Sequence, residues 1–207
     1  MTIINQLASS LGRRDEVPNQ ELAMKIVKKK DIAAIKELIE NLDIKKLQND
    51  CIKVLYEIGE IDQALIAPYY KSFVDLLKSK NNRMQWGAMS ALQVIVSAKP
   101  HEIYNSLSAI AEAAAKGTVI TKDNFVKLLV KLAAVNKYTD DCVQLLLEQI
   151  STAPVNQFPS YAEFTLPLVT KENKEAFIRI VSGRAKDTDQ ESKLKRIKKV
   201  LRKVIDN

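Results

Sequence analysis

The chain has 207 residues, 46% of them hydrophobic and 28% charged, with 32 Lys/Arg against 25 Asp/Glu and a formal net charge of +7. This composition supplies an apolar core and excludes an intrinsically disordered chain, and no apolar run approaches the roughly 20 residues that a helix needs to cross a bilayer. Met1 to Ser10 lack the basic start and long apolar centre of a secretory signal, so the expected location is cytoplasmic, with no membrane partner.

Residues 1–18 carry a weak apolar pattern, broken at Gly12 and followed by Arg13, Arg14, Asp15 and Glu16. Helical periodicity starts near Asn19, with a short opening helix predicted over residues 21–30. Asp31 stands where an N-cap is needed, before Ile32, Ile35, Leu38, Ile39 and Leu42 at helical spacing. Helix pairs are then predicted at 31–42 with 43–58, at 68–78 with 82–97, and at 100–116 with 121–135. A fourth pair follows at 139–152 with 160–169, and a fifth at 170–185 with 188–205. Pro68 and Pro100 suit first turns, where a missing amide hydrogen does no harm, while Gly59 and Gly117 suit C-terminal caps. Thr188 and Glu191 have capping-box spacing. Pro154, Pro159 and Pro167 crowd the fourth pair and predict a bend there.

The pairs repeat. At an offset of 37 residues, Cys51, Ala88, Phe125 and Ala162 fall in one column, Leu55, Leu92, Leu129 and Leu166 in a second, and Ile58, Ile95, Leu132 and Val169 in a third. A fifth copy follows after 35 residues as Ile197, Leu201 and Val204. Apolar residues spaced by four and three mark one face of a helix, so each unit buries at least one helix against its neighbours. The predicted class is all-α: a right-handed α-α superhelix, or α-solenoid, of about five helix pairs. Residues 1–207 are read as one repeat domain, with 1–30 an extension and opening helix and 31–205 the repeats.

With its helix pairs repeating at 37 residues and the segment Asn82 to Leu92 opening a second helix, the chain resembles HEAT and armadillo-type repeat proteins over residues 31–205. It departs from the HEAT pattern at Gln48 and Gln85, where that repeat often carries arginine, and its first-helix proline is plain only at Pro68. The resemblance implies a scaffold that grips a protein or peptide along a concave surface lined by the second helices. Some HEAT-like proteins are DNA glycosylases, which makes nucleic acid the alternative partner, although no Trp/Asp catalytic set maps onto these residues.

Signs of catalysis are not found. His101 is the single histidine and reads as a solvated first-turn residue after Pro100. Cys51 and Cys142 sit inside apolar helical patterns, where a thiol acts as a small core residue, and neither phosphate-loop nor dinucleotide glycine signatures occur. Asp140 and Asp141 read as a helix N-terminus, where negative charge opposes the macrodipole favourably. The expected protein is non-enzymatic and takes no cofactor or metal.

Two clusters are candidates for binding. The core columns leave positions 49, 53 and 56 facing out, with Trp86, Ser90 and Gln93 as their equivalents. Lys53, Arg83, Trp86 and Lys127 are therefore the candidate partner-binding residues. Trp86 admits two readings, an interface anchor beside Arg83 or a side chain packed on the adjoining repeat, with Gly87 allowing close approach. On the last helix Lys193, Lys195, Arg196, Lys198, Lys199, Arg202 and Lys203 surround an apolar stripe. Residues 177–207 hold ten Lys/Arg against four Asp/Glu, leaving 22 against 21 for the rest, so any attraction to nucleic acid concentrates there. Lys195, Lys198, Lys199 and Arg202 are the candidate phosphate contacts, set against a solubilising cap for the end of the array.

Overall fold

The computed structural model describes residues 2–206, and among them the regular structure is helical, with no strand. The backbone forms two compact units, one ending at Phe125 and the other starting at Val126. The first holds α1 (Val17–Lys29), α2 (Ile32–Glu40), α3 (Gln48–Ile61), α4 (Gln63–Ile66), α5 (Tyr70–Leu76), α6 (Asn82–Ile95), α7 (Pro100–Asn105), α8 (Leu107–Lys116) and the first half of α9 (Val119–Ala133). The second holds the rest of α9, then α10 (Thr139–Thr152), α11 (Phe158–Thr165), α12 (Lys174–Arg184) and α13 (Glu191–Ile205).

In the first unit α3 is central, packing against α1, α2, α4 and α6, while α5 covers α6. In the second, α10 packs against α11 and α12, and α13 closes over both. The repeating columns are the core: Cys51, Ala88, Phe125, Ala162, Leu55, Leu92, Leu129, Ile58, Ile95 and Leu132 all have zero exposure. The fourth copy departs, with Leu166 and Val169 only partly buried. Pro167 is the reason: it has no amide hydrogen to continue the ladder, and α11 ends at Thr165 in the 3-10 turn Leu166–Leu168.

Local signals set several boundaries. Asp31 caps α2, its Oδ1 accepting from the Ala34 amide at 3.0 Å, and Gly117 is the C-cap of α8. Other expectations need correction. α1 starts at Val17, earlier than predicted, because Pro18 is accommodated in its first turn. The second helix of the first pair starts only at Gln48, after turns over residues 41–47. Pro68 lies in the 3-10 turn Ala67–Tyr69 that precedes α5. The single helix expected over 100–116 breaks at Ser106, whose amide is shared between the carbonyls of Glu102 and Ile103. No capping box forms before α13: Gln190 is the N-cap, and the Thr188 hydroxyl accepts from the Gln190 amide at 3.2 Å in a local turn.

Gly59 lies inside α3 and is not a cap. A Cβ there would stand 2.5 Å from Ile66 Cδ1 and 2.6 Å from Val94 Cγ2, so the glycine serves close packing. Gly87 does the same for α6 on α3, since a Cβ would meet Ile52 Cγ1 at 2.7 Å. That close approach brings the outward rows of α3 and α6 together.

Candidate functional site

The site is built on α3 and α6, where Asn49 and Trp86, Lys53 and Ser90, and Tyr56 and Gln93 are equivalent positions. These rows are not open as expected: Lys53 is 6% exposed, Tyr56 8% and Ser90 9%. The chain's own N-terminal segment, read from sequence as a weakly patterned extension, contributes to this cover. Its residues fold against the first unit, with Leu7 and Ala8 buried, and α1 packs along α3.

A buried side chain fixes that segment. Asn19, with zero exposure, accepts from the Ala8 amide at 2.9 Å and donates through Nδ2 to Asp50 Oδ1 at 2.9 Å. The other Asp50 oxygen accepts from the Ser9 amide at 2.8 Å. Residues 8, 9, 19 and 50 are thereby tied into one network, in which Asn19 uses both ends of its amide.

Immediately before α1, Glu16 reaches both predicted cations. Its carboxylate pairs with Lys53 Nζ at 2.9 Å and with the Arg83 guanidinium. Lys53 also pairs with Glu57, one helical turn along α3. Burial opposes the charge on Glu16, but the hydrogen bonds from Arg83 and Lys53 outweigh it and hold the carboxyl below its ordinary range. Burial likewise opposes the charge on Lys53, and Glu57, Tyr56 and Glu16 together overcome it, raising the ammonium above its usual value. Lys53 stays protonated as a fixed structural cation.

Aromatic rings complete the cluster. The Lys53 ammonium lies 4.9 Å from the centroid of Tyr56, Arg83 Cζ lies 5.1 Å from that of Trp86, and the two rings are 5.9 Å apart with planes tilted by 50°. Such tilted ring pairs and cation contacts contribute about 0.5–1.5 kcal/mol each. Trp86 is half-buried, and the Arg83 side chain keeps 30% of its exposure. Trp86 packs beside Tyr56 and keeps part of its side chain in solvent. Around them, Asn81 caps α6 and donates to Asn49 Oδ1 at 3.0 Å, while Ser90 donates to the Trp86 carbonyl and accepts from Asn124 at 2.9 Å.

Lys53, Arg83 and Trp86 therefore meet in one cluster, joined by Glu16, Tyr56 and Glu57, which sequence reasoning did not single out as site residues. Lys127 lies exposed on the part of α9 that belongs to the second unit.

The basic last helix, α13, belongs to the second unit. Lys195 pairs with Glu191 at 3.1 Å, and Arg196 pairs with Glu163 at 2.6 Å while donating to the Ser160 hydroxyl. Lys198, Lys199 and Arg202 are exposed. Lys203 lines a cavity of about 290 Å³ with Lys171 and Lys174, floored by Leu166, Val169 and Val204.

Elsewhere, Cys51 and Cys142 are fully buried free thiols, each pushed up to about 12 chiefly by burial, so neither is a ready nucleophile. Among the described residues no helix is long and apolar enough to cross a membrane.

No protein-family model and no curated protein matches the sequence. Solved structures do. A designed armadillo repeat protein is 16% identical, with 98% of this chain and 91% of that one covered and a TM-score of 0.65. Another, solved in complex with the peptide (KR)4, is 15% identical over 89% of this chain and 86% of that one, with a TM-score of 0.68. An engineered protein of the Northeast Structural Genomics Consortium is 18% identical over 100% of both chains, with a TM-score of 0.62. The fold is an armadillo/HEAT-like helical repeat of the α-solenoid class.

Proposed function

We propose that the chain is a non-enzymatic interaction module that captures a peptide, or an extended segment of a partner protein, on the face built by α3 and α6. The observation that carries this reading is the Arg83–Trp86 stack. A large aromatic side chain and a guanidinium stay half-exposed on a frame already ordered by Tyr56, Lys53, Glu57 and Glu16. Ordering these side chains in advance removes part of the entropy cost of binding, and Trp and Arg are both enriched among the residues that anchor interfaces. The peptide-bound neighbour supports the general mode, because that fold can carry a peptide.

The test is a peptide-array screen of wild type against Trp86→Ala and Arg83→Ala. Peptides captured by wild type should lose at least about tenfold in affinity, near 1.4 kcal/mol, in both variants. Unchanged capture by folded variants would place the site elsewhere.

A second reading concerns α13. Three lysines around one cavity, with Lys198, Lys199 and Arg202 exposed on the same helix, favour phosphate groups as ligands. Under this reading the chain holds nucleic acid through Lys195, Lys198, Lys199 and Arg202. Fluorescence anisotropy with an oligonucleotide at two salt concentrations decides it: steeply salt-dependent binding supports the reading, and no binding at low salt removes it.

A further inference from the structure

Glu16 comes from a different part of the chain than the cations it joins, and it is the most exposed member of the network. Its side chain is 39% exposed, against 8% for Lys53, 22% for Glu57 and 30% for Arg83. Lys53 has a second acid in Glu57, fixed on its own helix, whereas Glu16 arrives at the end of an exposed stretch, residues 10–15, in which Gly12 adopts a positive φ of 69°. The geometry is that of a carboxylate seated on a cationic, aromatic-walled site made by other elements.

We infer that Glu16 occupies the seat of a partner's acidic side chain, so the peptide taken up on the α3/α6 face is acidic and Glu16 competes with it. This rests on the binding face proposed above and names the chemistry of its ligand. Removing the carboxylate from Arg83 and Lys53 without replacement would leave partly buried positive charge under-compensated, which is costly. A ligand that brings its own carboxylate restores the pairs, while the Trp86 and Tyr56 rings flank its aliphatic stem. The pairing at the seat agrees: with Glu16 withdrawn, Lys53 keeps Glu57 as a partner, and the Arg83 guanidinium is left to take an incoming carboxylate. Only the side chain of Glu16 has to rotate away, because Asn19 and Asp50 hold the backbone of the opening segment in place.

The experiment uses labelled peptides (ED)4 and (KR)4 with the full chain, its Glu16→Gln variant and the Glu16→Gln/Arg83→Gln double variant, each checked for folding by thermal melt. Glu16→Gln should tighten (ED)4 binding about tenfold, and the added Arg83→Gln should abolish that gain. Glu16→Asp, which keeps the charge on a shorter stem, serves if Glu16→Gln does not fold, and should tighten (ED)4 binding by a smaller factor. An (ED)4 affinity indifferent to Glu16, or a preference for (KR)4 that weakens on removing Glu16, overturns the acidic assignment and leaves the binding face standing. Failure of both peptides to bind any variant overturns the assignment and counts against the face itself.

Discussion

Glu16 and Arg83 form an ion pair across 67 residues of sequence, joining the start of α1 to the first turn of α6. Because Glu16 also holds Lys53 on α3, one carboxylate links three helices of the first unit. The stability of that unit should consequently carry the titration of Glu16.

The Glu16 carboxyl lies below its ordinary value of 4.5 in the folded chain, as does that of Glu163, held chiefly by Arg196. The unfolded chain therefore takes up protons at higher pH than the folded one. The contribution of these pairs is complete above pH 4.5 and is lost as the pH falls through the lowered values. Urea midpoints measured from neutral pH to below 4.5 should fall more gently for Glu16→Gln than for wild type; parallel curves would show that the pair carries no such linkage.

Asn19→Ala strands the buried Ala8 amide and takes one of its two donors from the Asp50 carboxylate, which keeps the Ser9 amide. The expected loss is about 2–3 kcal/mol. Hydrogen exchange at the Ala8 and Ser9 amides should accelerate before that of the α3 core, and uniform exchange across the unit would contradict a local tether.

Arg184 is placed to matter in the second unit. Its guanidinium donates to the carbonyls of Ile150, Ser151 and Ala153 at 2.7–2.8 Å, pairs with Asp187, and lies 5.0 Å from the Phe158 ring centroid. It satisfies the free carbonyls at the end of α10, which a single charged fork can do and an ammonium cannot. Arg184→Ala should cost about 2 kcal/mol in chemical denaturation, and Arg184→Lys should recover little of it.

Gly87→Val would drive side-chain atoms into Ile52, where even a Cβ meets Cγ1 at 2.7 Å. A destabilisation of about 1–3 kcal/mol is expected, and adding Ile52→Ala should restore part of it by making room. A double-mutant cycle with no coupling would contradict the close approach of α6 to α3.

The repeating core was legible because burial acts through period: Leu55, Leu92 and Leu129 are apolar for the same geometric reason and are all fully buried. α10 was placed at 139–152 as observed, its entry marked by Thr139 with Asp140 and Asp141 in its first turn. The break at Ser106 was not legible, since apolar spacing runs through it unaltered. Lys53 and Trp86 were singled out from their place outside the core columns, and the structure does bring them together. What covers them could not be read: Glu16 stands in a charged, weakly patterned stretch, and its role depends on a contact fixed only once α1 packs along α3. Arg184 was missed likewise, because its partners lie 31 to 34 residues away and are backbone carbonyls that leave no trace in side-chain pattern.

The chain contains a single tryptophan, so its indole N–H gives one resonance that reports on Trp86 alone. Titrating the isotopically labelled protein with array-selected peptides and following that resonance tests the binding face most directly. A saturable shift of the indole signal, removed by Arg83→Ala, is the expected result. A peptide that binds and perturbs other amides while the indole stays unmoved would contradict the account.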